Sequence, residues 1–313
     1  MAERVAIVGA GVSGLTCGVV LAERGFQTTI FAKETGQQTT SGAAAAIWFP
    51  YDAQPAEKVI PWALETYKAL IDLTVDPRSG VSMIDLRQFS RIAGIQIPDW
   101  AIPLGAGAVA TGLRPVFNSG FSLRVPLMDT TIYLDYLAGR FEKAGGEIHA
   151  RVRFEKLEEA DRDFDLVINC AGIGARELVR DTDLEPHRGQ IAIVSKIENL
   201  SCAIVCDDAP LTYAIPRTND CVFGGTNDLS SDLAADPATT KRIIAECSRA
   251  LNIEKPRVLA ERVGLRPFRK SGVRLEREKL RDGRIVIHNY GHGGSGFTLS
   301  WGCAREVLDI ATQ

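Results

Sequence analysis

The apolar positions of this chain change period several times, and each change marks an element. Val5-Ala-Ile-Val8 is a short unbroken apolar run, the pattern of a strand buried on both faces. It stops at Gly9-Ala-Gly11-Val-Ser-Gly14, and residues 15–24 then carry apolar side chains at helical spacing, with Gly25 as a stop. Thr28-Thr-Ile-Phe-Ala32 reads as a second strand. The opening segment is therefore a strand–helix–strand unit of about 30 residues, which requires a right-handed parallel crossover.

Beyond it the pattern shifts. Residues 35–50 are first small and polar, then small and apolar, through Thr39-Thr40-Ser41-Gly42-Ala43-Ala44-Ala45-Ala46, a composition that lets main chain approach something large and flat. A helix is predicted over 56–75 from Ile60, Trp62, Leu64, Tyr67, Leu70 and Ile71. Residues 80–127 alternate in short strand-like runs broken by Gly and Pro, and a helix over 131–145 is stopped by Gly145-Gly146. Phe164-Asp-Leu-Val-Ile-Asn-Cys170 is another buried strand, followed by Ala171-Gly172. The runs 190–194, 212–215 and 221–223, separated by turn residues, suggest an antiparallel sheet. A helix follows over 236–251. The end returns to the opening style, with a strand over 284–287, a glycine-rich turn and a helix over 298–310, and no internal repeat appears. Strand–turn–helix units at both ends with β-rich material between predict an α/β fold: a nucleotide domain assembled from 1–49, 128–177 and 264–313, interleaved with a second domain from 50–127 and 178–263 built on a mainly antiparallel sheet plus helices.

Composition narrows the class. Over 313 residues, 45% hydrophobic and 24% charged are globular proportions that exclude disordered, collagen-like and coiled-coil chains. A net charge of -3 gives no general attraction to nucleic acid or an anionic membrane. The seven cysteines are an odd, scattered set, better read as buried reduced thiols of a cytoplasmic protein than as a disulfide framework. The start passes straight from Glu3 and Arg4 into a glycine turn, so neither a signal peptide nor a membrane span is expected there, and the final Ile-Ala-Thr-Gln carries no peroxisomal or prenylation signal.

Gly9-x-Gly11-x-x-Gly14 follows a strand and opens a helix, the context in which such glycines permit a tight turn, let amides approach a pyrophosphate and allow close helix–strand packing. The acidic partner for a ribose is expected about 20 residues on. Glu34, preceded by Lys33, stands there, and an exposed loop carboxylate is the competing reading. A second cluster, Ile287-His-Asn-Tyr290-Gly291-His292-Gly293-Gly294-Ser295-Gly296-Phe-Thr298-Leu-Ser-Trp301-Gly302-Cys-Ala304, again lies between strand and helix. It lets backbone lie against a ligand, and Thr298 at the helix start can donate to a carbonyl there. A large tricyclic ring suits this arrangement better than a leaving nicotinamide, which favours FAD in a Rossmann-like domain. His288 and His292 have no carboxylate spacing that would make a metal site, so no metal is expected and the two are read as packing beneath the flavin. Cys202 and Cys206 read as inert thiols.

These residues carry a family resemblance along nearly the whole chain. The fingerprint, Thr39-Thr-Ser41 with Ala45-Ala-Ile-Trp48-Phe-Pro-Tyr51, Asn169-Cys-Ala-Gly172, Arg188-Gly-Gln190, Tyr213-Ala-Ile-Pro-Arg217 with Gly224-Gly-Thr226, Gly264-Leu-Arg266-Pro267 and His288-Asn-Tyr-Gly-His-Gly-Gly294 resemble the D-amino acid oxidase family, which includes D-aspartate oxidases. The resemblance implies FAD-dependent oxidation of a D-amino acid to an imino acid by hydride transfer to flavin N5, with oxygen reduced to hydrogen peroxide. The imino acid hydrolyses to a 2-oxo acid and ammonia. Arg266 would pair bidentately with the substrate carboxylate, Tyr213 would donate to it, and the Gly294 carbonyl would accept from the amino group. Hydride transfer needs no strong side-chain base, in keeping with the absence of an evident one from these motifs. Cofactor contacts are implied at Gly9, Gly11, Val12, Ser13, Gly14, Lys33, Glu34, Thr39, Thr40, Ser41, Ala45, Ala46, Ile47, Val152, Cys170, Ala171, Gly172, Gly293, Gly294, Gly296, Phe297 and Thr298.

The sequence departs from the family pattern in two places. Several vertebrate relatives carry a lid tyrosine just before the strand of Tyr213; here Asp207-Asp-Ala-Pro-Leu211 is short and lacks an aromatic, so a smaller or absent lid is expected, with less limitation by product release. Phe49 and the arginine-free Gly225-Thr-Asn227 predict neutral or apolar substrates, since an unpaired substrate carboxylate is costly to bury. Arg217, if it points inward, would instead favour D-aspartate or D-glutamate. Two further readings stay open: a glycine/sarcosine-type flavin amine oxidase or quinone-linked dehydrogenase, and a nucleotide-sensing module without chemistry. The expected partners are the small substrate and oxygen, with a homodimer the expected form of any assembly.

Overall fold

The structure is a computed structural model that describes residues 3–112 and 116–313. Residues 113–115, within the stretch where short strands are expected, and positions 1 and 2 lie outside the described residues. In chain order the elements are β1 (Arg4–Ala10), α1 (Val12–Ala22), β2 (Gln27–Thr35), α2 (Ala56–Leu73), β3 (Val81–Ser90), β4 (Gly107–Ala108), β5 (Ser119–Met128), α3 (Thr130–Lys143), β6 (Glu147–Ala150), β7 (Leu166–Asn169), α4 (Ala175–Leu178), β8 (Leu184–Ser195), β9 (Cys202–Cys206), β10 (Thr212–Pro216), β11 (Asp220–Gly224), β12 (Asp228–Leu229), α5 (Pro237–Leu251), β13 (Val258–Arg269), β14 (Arg274–Lys279), β15 (Ile285–Tyr290) and α6 (Gly296–Ala311).

Two sheets organise them. The first has the order β14-β15-β7-β1-β2-β6. Its strands from β15 to β6 run parallel, and β14 closes one edge antiparallel. β1 sits in the middle with Val5, Ala6 and Ile7 fully buried, as an unbroken apolar run requires. The chain leaves β1 for β2 on one side and later returns as β7 on the other. The carboxyl end of β1 is therefore a point where the winding reverses, the place where open α/β sheets bind ligands. Helices α1, α3 and α6 pack on this sheet, and α2 packs against α6 and against β3 and β5 of the second sheet.

The second sheet follows the order β12-β8-β11-β10-β9-β3-β5-β4, with β13 also paired to β8. It is antiparallel except between β3 and β9. One face is covered by α5, whose Asp236 cap accepts from the amides of Ala238 and Thr239. Ile243, Ile244 and Cys247 of α5 meet Ala192, Val194, Ala214 and Phe223. The opposite face packs against α2 at β3 and β5 and borders the cavity at β8, β9 and β10.

Two expectations are corrected at the C-terminal end. His288, Asn289 and Tyr290, read as the start of the glycine-rich turn, belong to β15, because β14 pairs with that strand as far as Arg274↔Tyr290. The last helix begins at Gly296 rather than at Thr298.

Candidate active site

A cavity of about 690 Å³ runs between the two sheets. At one end its wall is the turn from β1 into α1. Gly14 is pressed against the preceding turn so tightly that a Cβ there would lie 1.9 Å from the Gly9 carbonyl oxygen. This approach sets the start of α1 toward the cavity, where Gly11, Val12 and Ser13 line it. The first turn of α1 holds no acidic residue, so the partial positive charge of the helix end is uncompensated by its own side chains. Lys33 and Glu34, at the end of β2, line the same region and pair with each other at 3.1 Å. Ser41 braces the turn by accepting from the Val12 amide at 3.0 Å.

The other end is built by strand parity. Successive side chains on a strand face opposite sides, so while Ala192 and Ala214 pack under α5, Gly189 and Ile191 of β8 and Tyr213 and Ile215 of β10 face the cavity. Arg266 joins them from β13. Glycines clear the space: a Cβ at Gly189 would sit 2.6 Å from the Arg266 guanidinium carbon, and one at Gly224, the cross-strand partner of Tyr213, would sit 2.0 Å from the phenol ring. Arg266 is fixed by bonds from Nη1 to the Thr226 carbonyl at 2.8 Å and to Asn227 Oδ1 at 3.1 Å. Asn227 in turn donates to the Tyr51 hydroxyl at 3.3 Å.

Electrostatics make this end receptive to a carboxylate. Burial raises the Tyr213 phenol above its ordinary value, against the opposing pull of the Arg266 guanidinium. Burial likewise pushes Tyr51 up to about 12, with Arg266 again opposing and Asp207 adding to the rise. Both phenols stay protonated at neutral pH and offer hydroxyl donors around a permanent cation, the set that charge-assisted binding of a carboxylate uses.

The third wall is the glycine run before α6, laced to the loop that follows β2. Ser295 Oγ accepts from the Tyr51 amide at 2.7 Å, and Gly293 and Gly294 line the cavity beside them. His292, also in the wall, bonds Asn289 Oδ1 through Nε2 at 2.9 Å, and burial pushes its pKa down to about 4.

The FAD-dependent oxidoreductase family model matches residues 4–310. A D-amino-acid oxidase of Rubrobacter xylanophilus is 41% identical across 98% of this chain and 95% of its own length. The chain belongs to the D-amino-acid oxidase family. A human D-aspartate oxidase is also similar, 31% identical over 99% of this chain and 95% of its own. Among solved structures, a glycine oxidase from Geobacillus kaustophilus superposes with a TM-score of 0.83 at 18% identity, covering 99% of this chain and 95% of that one, and so shares the fold.

The family's cofactor is FAD, and the donor set of this cavity fits it. A helix end without an acidic first turn suits a diphosphate, and Gly293 and Gly294, pressed against Asp52 and Tyr51, present main chain to the cavity against which a flat ring can lie.

All the site positions expected from sequence except Gly14 line this one cavity, Val152 and Phe297 included. Gly14 acts by packing instead, since its close approach to Gly9 leaves it no cavity surface. Thr298 needs a second correction. It lines the cavity, but its hydroxyl donates to the Phe49 carbonyl at 3.0 Å and accepts from the Phe49 amide at 3.1 Å, so the hydroxyl is committed to the loop rather than free for a ligand carbonyl. His288 lies off the cavity wall, bonded to Asn169 and to Glu278. Arg217 does not point inward: its guanidinium pairs with Asp220 at 2.7 Å and donates to Thr130 at 3.2 Å, outside the cavity wall. The 207–211 stretch is a short turn tied down by Asp208, which accepts from Ser90 Oγ at 2.8 Å and from the Arg91 amide.

Sequence reasoning passed over Tyr51 and Asp207 as site residues, and both line the cavity. A signal for Asp207 exists. It shares parity with Val205 of β9, a cavity residue, and so continues that strand's inward face by one step.

Proposed function

We propose that the protein is a D-amino-acid oxidase acting on neutral and apolar substrates. The observation that carries the reading is Arg266 with Tyr213 and Tyr51 beside it, at the same cavity end as the Gly293-Gly294 main chain. The residues around Gly9–Ser13, Lys33–Glu34, Thr39–Ser41, Ala45–Ile47, Val152, Cys170–Gly172 and Gly293–Thr298 would hold FAD. When bound, FAD supplies the two-electron acceptor and is returned by oxygen, which leaves as hydrogen peroxide.

Arg266 grips the substrate carboxylate and Tyr213 donates its hydroxyl to the same group. The Gly294 carbonyl accepts from the amino group and orients it. With these two groups held, only one enantiomer presents its α-hydrogen inward, and catalysis rests on that alignment. The imino acid is hydrolysed by water to a 2-oxo acid and ammonia. Phe49, Val205, Leu211 and Ile215 form an apolar wall for the side chain. The basic lining residues among those described are Lys33, Arg153 and Arg266, so no second cation waits at the Arg266 end for an acidic side chain. The same reading places the enzyme in the cytoplasm, in keeping with seven buried cysteines carried as thiols, and takes a homodimer as its assembly.

Peroxide release by the holoenzyme across D-leucine, D-alanine, D-aspartate and glycine tests this. We expect D-leucine and D-alanine to exceed D-aspartate by about tenfold or more in kcat/KM, the loss expected when a second carboxylate goes unpaired. Preference for D-aspartate would overturn the side-chain reading, and turnover of glycine alone would move the protein to the glycine-oxidase class.

A further inference from the structure

Asp207 is the one feature of the Arg266 end that a neutral-substrate pocket does not need. It lines the cavity and is exposed into it, yet protein crowds its surroundings enough that desolvation raises its carboxyl to about 6, with Asp208 adding to the rise and the bond from Gln88 opposing it. That bond is fixed: Gln88 Nε2 donates to Oδ2 at 2.9 Å, and Gln88 is itself 95% buried, with 5% of its surface exposed. No basic side chain among the described residues acts on Asp207; its hydrogen bond comes from a neutral amide and the charge it feels is a like charge. Asp208, by contrast, is satisfied by Ser90 and by the Arg91 amide. Both Asp207 and Arg266 act on the Tyr51 phenol, and the pairing of Tyr213 with Val205 brings the end of β9, where Asp207 follows, to the same part of the cavity.

A carboxylate on the cavity wall whose hydrogen bond comes from a neutral amide keeps acceptor capacity for a cation that arrives with the ligand. We infer that Asp207 is a specificity residue that recognises an ammonium or guanidinium at the far end of the substrate side chain, so that the substrate class includes basic D-amino acids such as D-arginine and D-lysine. The inference rests on the oxidase reading and deepens it. Arg266 takes the α-carboxylate, the apolar wall takes the methylenes, and Asp207 takes the terminal cation. The same charge repels a second carboxylate, which adds to the exclusion of acidic substrates.

The test compares D-arginine with D-citrulline, its neutral isostere, in the wild-type holoenzyme and in Asp207→Asn. The wild type is expected to favour D-arginine in kcat/KM by about tenfold, and Asp207→Asn to bring the ratio close to one. A wild-type ratio at or below one overturns the inference, whether or not the variant folds, and so does a ratio that Asp207→Asn leaves unchanged. D-leucine turnover by the wild type reports on the oxidase reading separately: if it is present while the D-arginine ratio is flat, only the charge recognition fails. D-lysine against D-norleucine repeats the measurement with an ammonium, and equal values for that pair count against the inference as well.

Discussion

At the fingerprint end the cavity wall is largely main chain, at the Arg266 end it is largely side chain, and glycine serves the two ends differently. Gly14 lets backbone meet backbone so that a helix terminus can face a ligand. Gly189 and Gly224 instead recess two strands to seat the Arg266 guanidinium and the Tyr213 ring. On the proposed reading, the first arrangement serves the cofactor and the second serves the α-carboxylate that every amino-acid substrate carries.

Substitutions can separate these roles. Gly224→Ala puts a methyl into the Tyr213 ring, and we expect kcat/KM to fall about a hundredfold while the flavin spectrum stays that of the wild type, because the displaced phenol no longer meets the substrate. Gly14→Ala drives a methyl against the Gly9 carbonyl, and the effect should fall on the other side: FAD is held more weakly and the melting temperature drops, a loss of about 1–3 kcal/mol, while enzyme kept saturated with FAD retains most of its kcat. If either variant showed the other's signature, the division between the ends would be wrong.

A pH-dependent effect concerns His292, in the wall beside Gly293. Burial holds it neutral, with its pKa pushed down to about 4 from the ordinary 6.5. Between those values the unfolded chain takes up a proton that the folded protein refuses, so this contribution to stability is complete above pH 6.5 and is lost as the pH falls toward about 4, by up to roughly 3 kcal/mol. Urea midpoints measured from pH 7 to 4.5 should fall, and fall less steeply in His292→Gln. Equal slopes would remove His292 as the source.

The same contrast explains what was legible in the sequence. Residues 9–14 could be read because main-chain binding needs its glycines at fixed local spacing, and the parallel core could be read because both faces of β1 are buried. β14 was missed because Arg274–Lys279 is an edge strand, exposed over its last four residues and largely charged. Arg266 and Tyr213 came from resemblance alone, since nothing local in the sequence says that β13, β8, β11 and β10 stand side by side. Asp207 is hard to see in the sequence because it lies beyond the last residue of β9, where only the parity inherited from Val205 turns it inward. The inward reading of Arg217 failed on a local ion pair with Asp220, three residues on.

At the centre of the account is Arg266 as the tether that aims a D-amino acid at the cofactor. Anaerobic mixing of the wild-type and Arg266→Leu holoenzymes with D-alanine measures this directly through the flavin absorbance. We expect rapid bleaching in the wild type, and in the variant an unchanged resting spectrum with apparent second-order bleaching about a thousandfold slower at low substrate concentration, the loss of a charge-assisted carboxylate contact. Bleaching of the variant at the wild-type rate, or a wild type that bleaches equally with L-alanine, would contradict it.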